Sequence, residues 1–552
     1  MLSSTGRKLF RSSFRLQSRL QSTGRSKSQK FPNFILGSVL GISVGGLAAY
    51  SWLATGKYES FPSTSITKLE DVKPISYGNT SALVEKLIQD LGANKVSTSK
   101  SETDFHSDSD WASDHAYEHE RTQAVIYPES TEDVSLVLRL CHENKVPIVP
   151  YTGGTSLEGH FIPTKGGISI DLSRMDKIIA LHADDLDVVV QPGVGWEVLR
   201  DYLTDYNLMF GPDPGPGACI GGMCATSCSG TNAARYGTMR ENVVGLTVVL
   251  ADGTVVKTKK RPRKSAAGYN LTNLIIGSEG TLGIVTEATL KLHVKPKFEN
   301  IALVSFNSLK DAAASVAAIV KEGVQLNAIE LLDDKMMHFV NESGETVQKY
   351  DELPTLLLKI GGGSQAIVGE ITKTVKEICK INENKTFKFA KSEEEKFQLW
   401  NARKVALWST IQYGKTHIDP NVNIWTTDVA VPISRFVEAL ENTKKDIEEA
   451  GLFSSIVGHA GDGNYHALIM YKDHQRDIAA KVVENMVAKA LEYEGTVTGE
   501  HGVGVGKKEF LVQELGEDTV GLMRKIKFAM DPHTILNPDK VFATDPVNDR
   551  SI

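Results

Sequence analysis

The first pattern along the chain is an apolar run, Phe34 to Ala54, without a charged residue. As a helix at ~1.5 Å per residue it is long enough to cross ~30 Å of hydrocarbon. Gly37, Gly41, Gly45 and Gly46 recur along it, a spacing that lets two such helices approach closely and points to a homodimer. Ahead of it, Arg7, Lys8, Arg11, Arg15 and Arg19 share one arc of a helical wheel, with Leu9, Phe10, Phe14, Leu16 and Leu20 on the other; no Asp or Glu precedes Glu59. Basic, serine-rich, acid-free and amphipathic, residues 1–30 read as a mitochondrial presequence. Positive charge flanks the 34–54 span on its N-terminal side, apart from Lys57, so that side is expected in the matrix. The rest would then stand in the intermembrane space, on an inner-membrane anchor.

Residues 55–118 are polar and acidic and read as a linker with a helical lead-in. From Ala124 the texture changes to short β-like runs alternating with amphipathic stretches. Strands are expected at 125–128 and 146–150, and a helix at 131–142. A strand ends near Val294. After Pro296 come a strand at 301–306, a helix at 309–321, and strands at 356–360 and 424–431, with a helix at 393–407 between. Apolar residues at helical spacing from Asp477 to Glu494 stop at Gly495. The last segment, with Asp531-Pro532-His533 and Leu536-Asn537-Pro538, is expected to return to the first domain.

Composition changes this picture little. The 552 residues are 41% hydrophobic and 23% charged, with material for several domains. A net charge of −7 gives no reason to expect nucleic acid as a partner. Five cysteines lack both disulfide-rich and paired Cys-x-x-Cys spacing and read as free thiols, with Cys219, Cys224 and Cys228 buried. The Lys257 to Lys264 basic run reads as a solvated loop. Gly193-Val194-Gly195 lacks the third glycine of a dinucleotide fingerprint, and Gly506-Lys507 lacks P-loop spacing, so neither a nicotinamide enzyme nor an NTPase is supported.

The chemistry concentrates in four stretches. Tyr151 to Leu157, rich in Gly, Thr and Ser, directly follows a strand and is either a phosphate cradle or a plain tight turn. Small residues from Gly217 to Asn232 would let a large planar or phosphorylated ligand lie on backbone, or form a tightly packed loop. Gly277 to Thr286 is a third such element. In Gly458-His459-Ala460-Gly461-Asp462-Gly463-Asn464-Tyr465-His466, two histidines flank a turn between β-like runs, so a hairpin would bring the imidazoles together. Thr498-Gly499-Glu500-His501 adds a carboxylate and a third histidine. His459, His466 and Glu500 form a donor set for a borderline divalent metal that keeps positions open. His501 would handle a proton. Hydrogen-bonded turn histidines are the alternative.

Taken together and in this order, these motifs from about Ala124 to Phe542 resemble the FAD-linked D-2-hydroxy-acid dehydrogenases of the vanillyl-alcohol-oxidase fold. The resemblance implies an α+β architecture. A two-subdomain FAD-binding domain over 119–296 would be followed by an α/β substrate and metal (cap) domain over 297–505 and a C-terminal segment, 506–552. It implies non-covalent FAD, with Pro150, Gly153, Gly154, Thr155 and Ser156 at its pyrophosphate. Pro212, Asp213, Gly221, Gly222, Ser229, Gly230, Tyr236 and Gly237 would lie along its path. Glu279, Gly283, Ile284 and Val285 would complete the pocket, and Asn537 would sit near the flavin ring. His459, His466 and Glu500 match the family's ligands for a divalent metal, zinc or manganese, and His501 its proton acceptor. Arg403 matches the arginine that grips the substrate carboxylate, although by itself it equally suits a solvated helix face. The implied activity is oxidation of D-lactate to pyruvate with cytochrome c as acceptor; D-2-hydroxyglutarate and glycolate are the alternatives. Trp425-Thr426-Thr427-Asp428 stands where the hydroxyglutarate branch has a lysine, which favours lactate.

Overall fold

The computed structural model describes residues 65–109, 111–547 and 549–550. The expected presequence at 1–30 and membrane span at 34–54 lie outside the described residues. No helix among the described residues is long and apolar enough to cross a membrane. The strands of the described residues form three sheets.

The first sheet is small and mixed. Ala124–Ile126 and Ile148–Tyr151 both run parallel to Ile168–Asp171, and Val96–Ser97 adds an antiparallel edge. Parallel strands need a crossover connection; helix Thr131–Asn144, capped by Ser130, supplies the one between the first two. From Asn79 onward the stretch read as linker and lead-in belongs to this core, because Leu83, Val84 and Leu87 of helix Thr80–Leu91 pack into it. The C-terminal segment returns here. Ile535 and Leu536 join the same core, and Ile148 accepts from Asn537 N while donating its own N–H to the Ile535 carbonyl.

The second sheet is antiparallel and centres on the long strand Ile284–Val294, which pairs with Asp187–Val190, Leu208–Phe210 and Val243–Val249. After residues 295–297 the chain enters the third sheet through Phe298–Phe306. The eight strands of this sheet are all antiparallel and end in the hairpin Phe453–His459 and Asn464–Tyr471.

In a strand, successive side chains face opposite ways, and this period sorts the third sheet's two faces. Ala302, Val304, Leu356, Leu358 and Ile360 pack against helices Leu309–Lys321, Gln365–Ile381, Phe436–Glu449 and Arg476–Glu492. Ile301, Leu303, Ala328, Leu332, Val457 and Leu468 face the other way, toward helices Asp334–Ser343, Glu393–Lys404 and Ala406–His417. By the same alternation Glu330 (between Ala328 and Leu332), His459 (two beyond Val457) and His466 (two before Leu468) point to that second face. Helix Glu393–Lys404 brings Arg403 to it.

Two expected elements are divided. The helix expected over 393–407 breaks at Val405 into two. The strand expected over 424–431 becomes Asn423–Thr426 and Val429–Ala430. The interruption carries Asp428, whose carboxylate turns inward to accept the backbone N–H groups of Glu500 and His501, each at 2.9 Å.

Candidate active site and cofactor cavity

The hairpin turn after His459 is one 3-10 turn, Ala460–Asp462, closed by Gly463 at φ 72°. A Cβ at Gly463 would lie 2.2 Å from the Val431 carbonyl, so both the conformation and the space require glycine. The turn sets the two imidazoles 5.8 Å apart, centroid to centroid. Nε2 of His459 and Nε2 of His466 lie 2.9 and 3.3 Å from the same Glu500 oxygen. Their other nitrogens are anchored behind: His459 Nδ1 on Glu330 at 2.9 Å, His466 Nδ1 on the Thr427 carbonyl at 3.0 Å. His501 stacks flat on His466, 4.9 Å between centroids and 5° between planes.

The electrostatics favour a cation here. Burial lowers the His466 pKa, so this ring is neutral, and with Nδ1–H donated to Thr427 its Nε2 presents a lone pair. Burial alone would raise Glu500 and lower His459, but the pair hold each other charged: His459 keeps Glu500 well below the usual carboxylate range, and Glu330 and Glu500 keep His459 well above the ordinary histidine value. The His466 lone pair lies 3.3 Å from that anionic oxygen, whose charge a bound cation would balance in place of the His459 proton. One donor atom from each of His459, His466 and Glu500 lies within 4.8 Å of the others. The anchoring of both Nδ1 atoms is the support a metal-binding imidazole requires. The donor set fits a divalent metal.

These groups form one wall of a cavity of about 500 Å³. Its remaining lining includes Pro150, Gly153, Gly154, Thr155, Ser156, Asp213, Gly221, Gly222, Gly230, Glu279, Gly283, Ile284, Val285, Arg403 and Asn537. Four residues expected on the cofactor's path are not part of it: Pro212, Ser229, Tyr236 and Gly237 lie off the lining. The chain turns after Asn232 into the short helix Ala233–Tyr236, which packs Tyr236 on His293 of the long central strand. Cys224 is buried, while Cys219 and Cys228 are half-buried and line the cavity. Burial pushes the Cys219 thiol up to about 11.

The cavity fits a flavin dinucleotide on two structural grounds. Backbone approaches its neighbours where only glycine permits it: a Cβ on Gly153 would lie 2.3 Å from the Gly217 carbonyl, and one on Gly280, at φ 72°, would meet Pro150 at 2.4 Å. Asn537 donates through Nδ2 to the Glu279 and His160 carbonyls, while its Oδ1 is buried without a partner and available to a ligand N–H. Gly153→Ala is expected to force the two loops apart at about 1–3 kcal/mol, weakening FAD retention ~10-fold or more. The ratio of flavin to protein absorbance after gel filtration measures it.

Several residues at the site were not singled out in the sequence. Glu330 is completely buried and accepts both His459 Nδ1 and, at 2.5 Å, Arg403 Nε. Its signal is a single acid in the strand Ala328–Leu332 (AIELL), since a buried carboxylate requires partners. Glu158 accepts from His501 Nδ1 at 3.2 Å and pairs with Lys507 at 2.8 Å. Glu279, expected only in the pocket wall, also takes the Val503 and Gly504 amides at 2.6 and 2.8 Å and lies 3.3 Å from His160 Nε2. It thereby fastens the segment after His501 to the first domain.

Comparison with known proteins agrees with this geometry. Residues 122–259 match the model of the FAD binding domain, and residues 295–541 that of the FAD linked oxidases, C-terminal domain. The chain is 52% identical over 521 residues to a mitochondrial D-lactate dehydrogenase (cytochrome) of Kluyveromyces lactis, covering 92% of this chain and 90% of that protein. It is 52% identical to D-lactate dehydrogenase (cytochrome) 1, mitochondrial, of Saccharomyces cerevisiae, covering 88% of this chain and 84% of that protein. Among solved structures, 4-ethylphenol oxidase from Gulosibacter chungangensis superposes with a TM-score of 0.71 at 17% identity, covering 86% of this chain and all of the other, a likeness of fold. The expected two-domain FAD-binding architecture is borne out, and the chain belongs to the FAD-linked D-2-hydroxy-acid dehydrogenases of the vanillyl-alcohol-oxidase fold.

Proposed function

We propose that the protein oxidises D-lactate to pyruvate, with FAD as the two-electron acceptor and cytochrome c as the one-electron acceptor downstream. The observation that carries this reading is the convergence of two imidazole Nε2 atoms, the Glu500 carboxylate and the Arg403 guanidinium on the wall of the glycine-lined cavity. The 52% identity to relatives named D-lactate dehydrogenase (cytochrome) supports it.

Bound FAD supplies a carrier that takes a hydride and releases electrons singly. His459, His466 and Glu500 would hold the divalent metal, which supplies Lewis-acid polarisation of the substrate hydroxyl. Arg403 binds the carboxylate. Its Nε is committed to Glu330, and no described residue takes up its terminal nitrogens, which leaves the planar end of the fork for a bidentate grip. His501 takes the hydroxyl proton. Burial would lower its pKa, but Asp428 and Glu158 outweigh burial and hold it above the ordinary histidine value. A divalent cation held by His459, His466 and Glu500 would oppose them and favour the neutral, proton-accepting ring.

Thr426 lines the cavity and Asp428 is fully engaged, so the 425–428 stretch offers no cation for a second carboxylate. Lys404 does line the cavity, which keeps a longer diacid as the second reading. Anaerobic bleaching of purified, FAD-loaded protein by D-lactate, glycolate and D-2-hydroxyglutarate separates them. D-lactate is expected to reduce the flavin fastest; a protein that no hydroxy acid bleaches would end the enzymatic reading. Arg403→Lys keeps the charge but loses the fork and is expected to lower kcat/KM for D-lactate ~10–10²-fold, measured in steady state.

The two yeast relatives are named as mitochondrial proteins, in keeping with the presequence-like residues 1–30. The span at 34–54 would hold the catalytic body on the inner membrane in the intermembrane space. Protease treatment of mitoplasts tests this, since a body that stays protected would lie in the matrix.

A further inference from the structure

Behind His501 lie three buried charges, Glu158, Asp428 and Lys507, none of which lines the cavity. Glu158, with 3% of its side chain exposed, contacts His501 Nδ1 at 3.2 Å and Lys507 Nζ at 2.8 Å through one oxygen. Asp428 stands 3.6 Å from the same ammonium and accepts the His501 backbone N–H at 2.9 Å. No described residue bonds His501 Nε2, and the ring lines the cavity. Its plane is fixed by the stack on His466. The backbone of residue 158 clamps the same segment, since its carbonyl accepts from Val505 N at 2.8 Å and a Cβ on Gly504 would meet that oxygen at 1.9 Å.

We propose that Glu158 is a positioning residue for His501. It holds the proton on Nδ1, so that the unprotonated Nε2 faces the substrate hydroxyl. A carboxylate on one ring nitrogen selects the tautomer in this way and stabilises the imidazolium that forms when the other nitrogen takes a proton. An ion pair serving only stability would need nothing from the imidazole, yet here one Glu158 oxygen is shared between the ammonium and the ring. Glu158 lies just after the first domain's glycine loop and His501 at the end of the hairpin domain, so the tautomer is set only when the two domains are in register. The inference rests on the reading of His501 as proton acceptor.

Glu158→Gln replaces the carboxylate with an amide of nearly the same shape. Reduction of bound FAD by D-lactate, followed anaerobically in single turnover, is expected to slow roughly 10²-fold, with the apparent dissociation constant for D-lactate within about 3-fold. The solvent deuterium isotope effect should rise, because O–H cleavage becomes limiting. Selective ¹⁵N-histidine labelling should show His501 losing its Nδ1–H form, a readout independent of turnover. The double variant E158Q/K507M removes both buried charges together and should be equally slow; it carries the test where the single variant folds poorly. His501→Gln is run alongside. A slow H501Q with E158Q within about 3-fold of wild type and an unchanged tautomer overturns this inference alone. H501Q at the wild-type rate overturns the proton-acceptor reading itself.

Discussion

Chelation of the divalent cation is expected to abolish reduction of bound FAD by D-lactate while leaving FAD in place. His459 and His466 sit on paired strands, and that pairing is closed by the Gly463 turn and by the sheet. Metal-free protein should therefore keep a cooperative melting transition and its flavin spectrum. What it would lose is the positive charge proposed to lower the substrate hydroxyl's pKa, a contribution of several kcal/mol to the barrier. Zn²⁺ or Mn²⁺ added back should restore the reaction, and which ion does so identifies the preference. Full turnover in a sample shown by elemental analysis to hold no metal would reject His459, His466 and Glu500 as ligands.

His501→Ala is expected to slow flavin reduction by about 10²–10⁴-fold, the usual worth of a placed general base. FAD binding should be unaffected, because the ring's side-chain partners are Glu158 and His466 and not the glycine loops. Loss of the stack on His466 is the structural side effect to watch. Metal content of the variant, measured in parallel, separates a disturbed ligand from a missing base. An unchanged single-turnover rate in a metal-replete variant would remove His501 from the proton step.

Much of this site was legible in the chain because the relevant signals are local. A strand entering a Gly-Gly-Thr-Ser turn, two histidines around a Gly-Asp-Gly turn and a Glu-His dipeptide after a helix each depend on neighbours a few residues away. The hairpin lies where the flanking β-like runs put it, at Phe453–His459 and Asn464–Tyr471. The helix after it runs from Arg476 to Glu492, within about two residues of the expected bounds. Tyr236 and Gly237, expected on the cofactor's path, lie off the cavity lining, and Tyr236 packs on His293, far along the chain from it.

The sequence by itself marked the alternation of strands and helices beyond Ala124, the glycine-rich loops, the three candidate metal donors and the candidate base beside them. Tertiary structure alone decided which acids stand behind them. Glu330, Glu158 and Asp428 lie 129, 343 and 73 residues from the His459, His501 and His501 groups they hold. The physical reason is that a carboxylate becomes a partner through burial and distance. Those two quantities are set when separate sheets pack together, and no spacing along the chain encodes them.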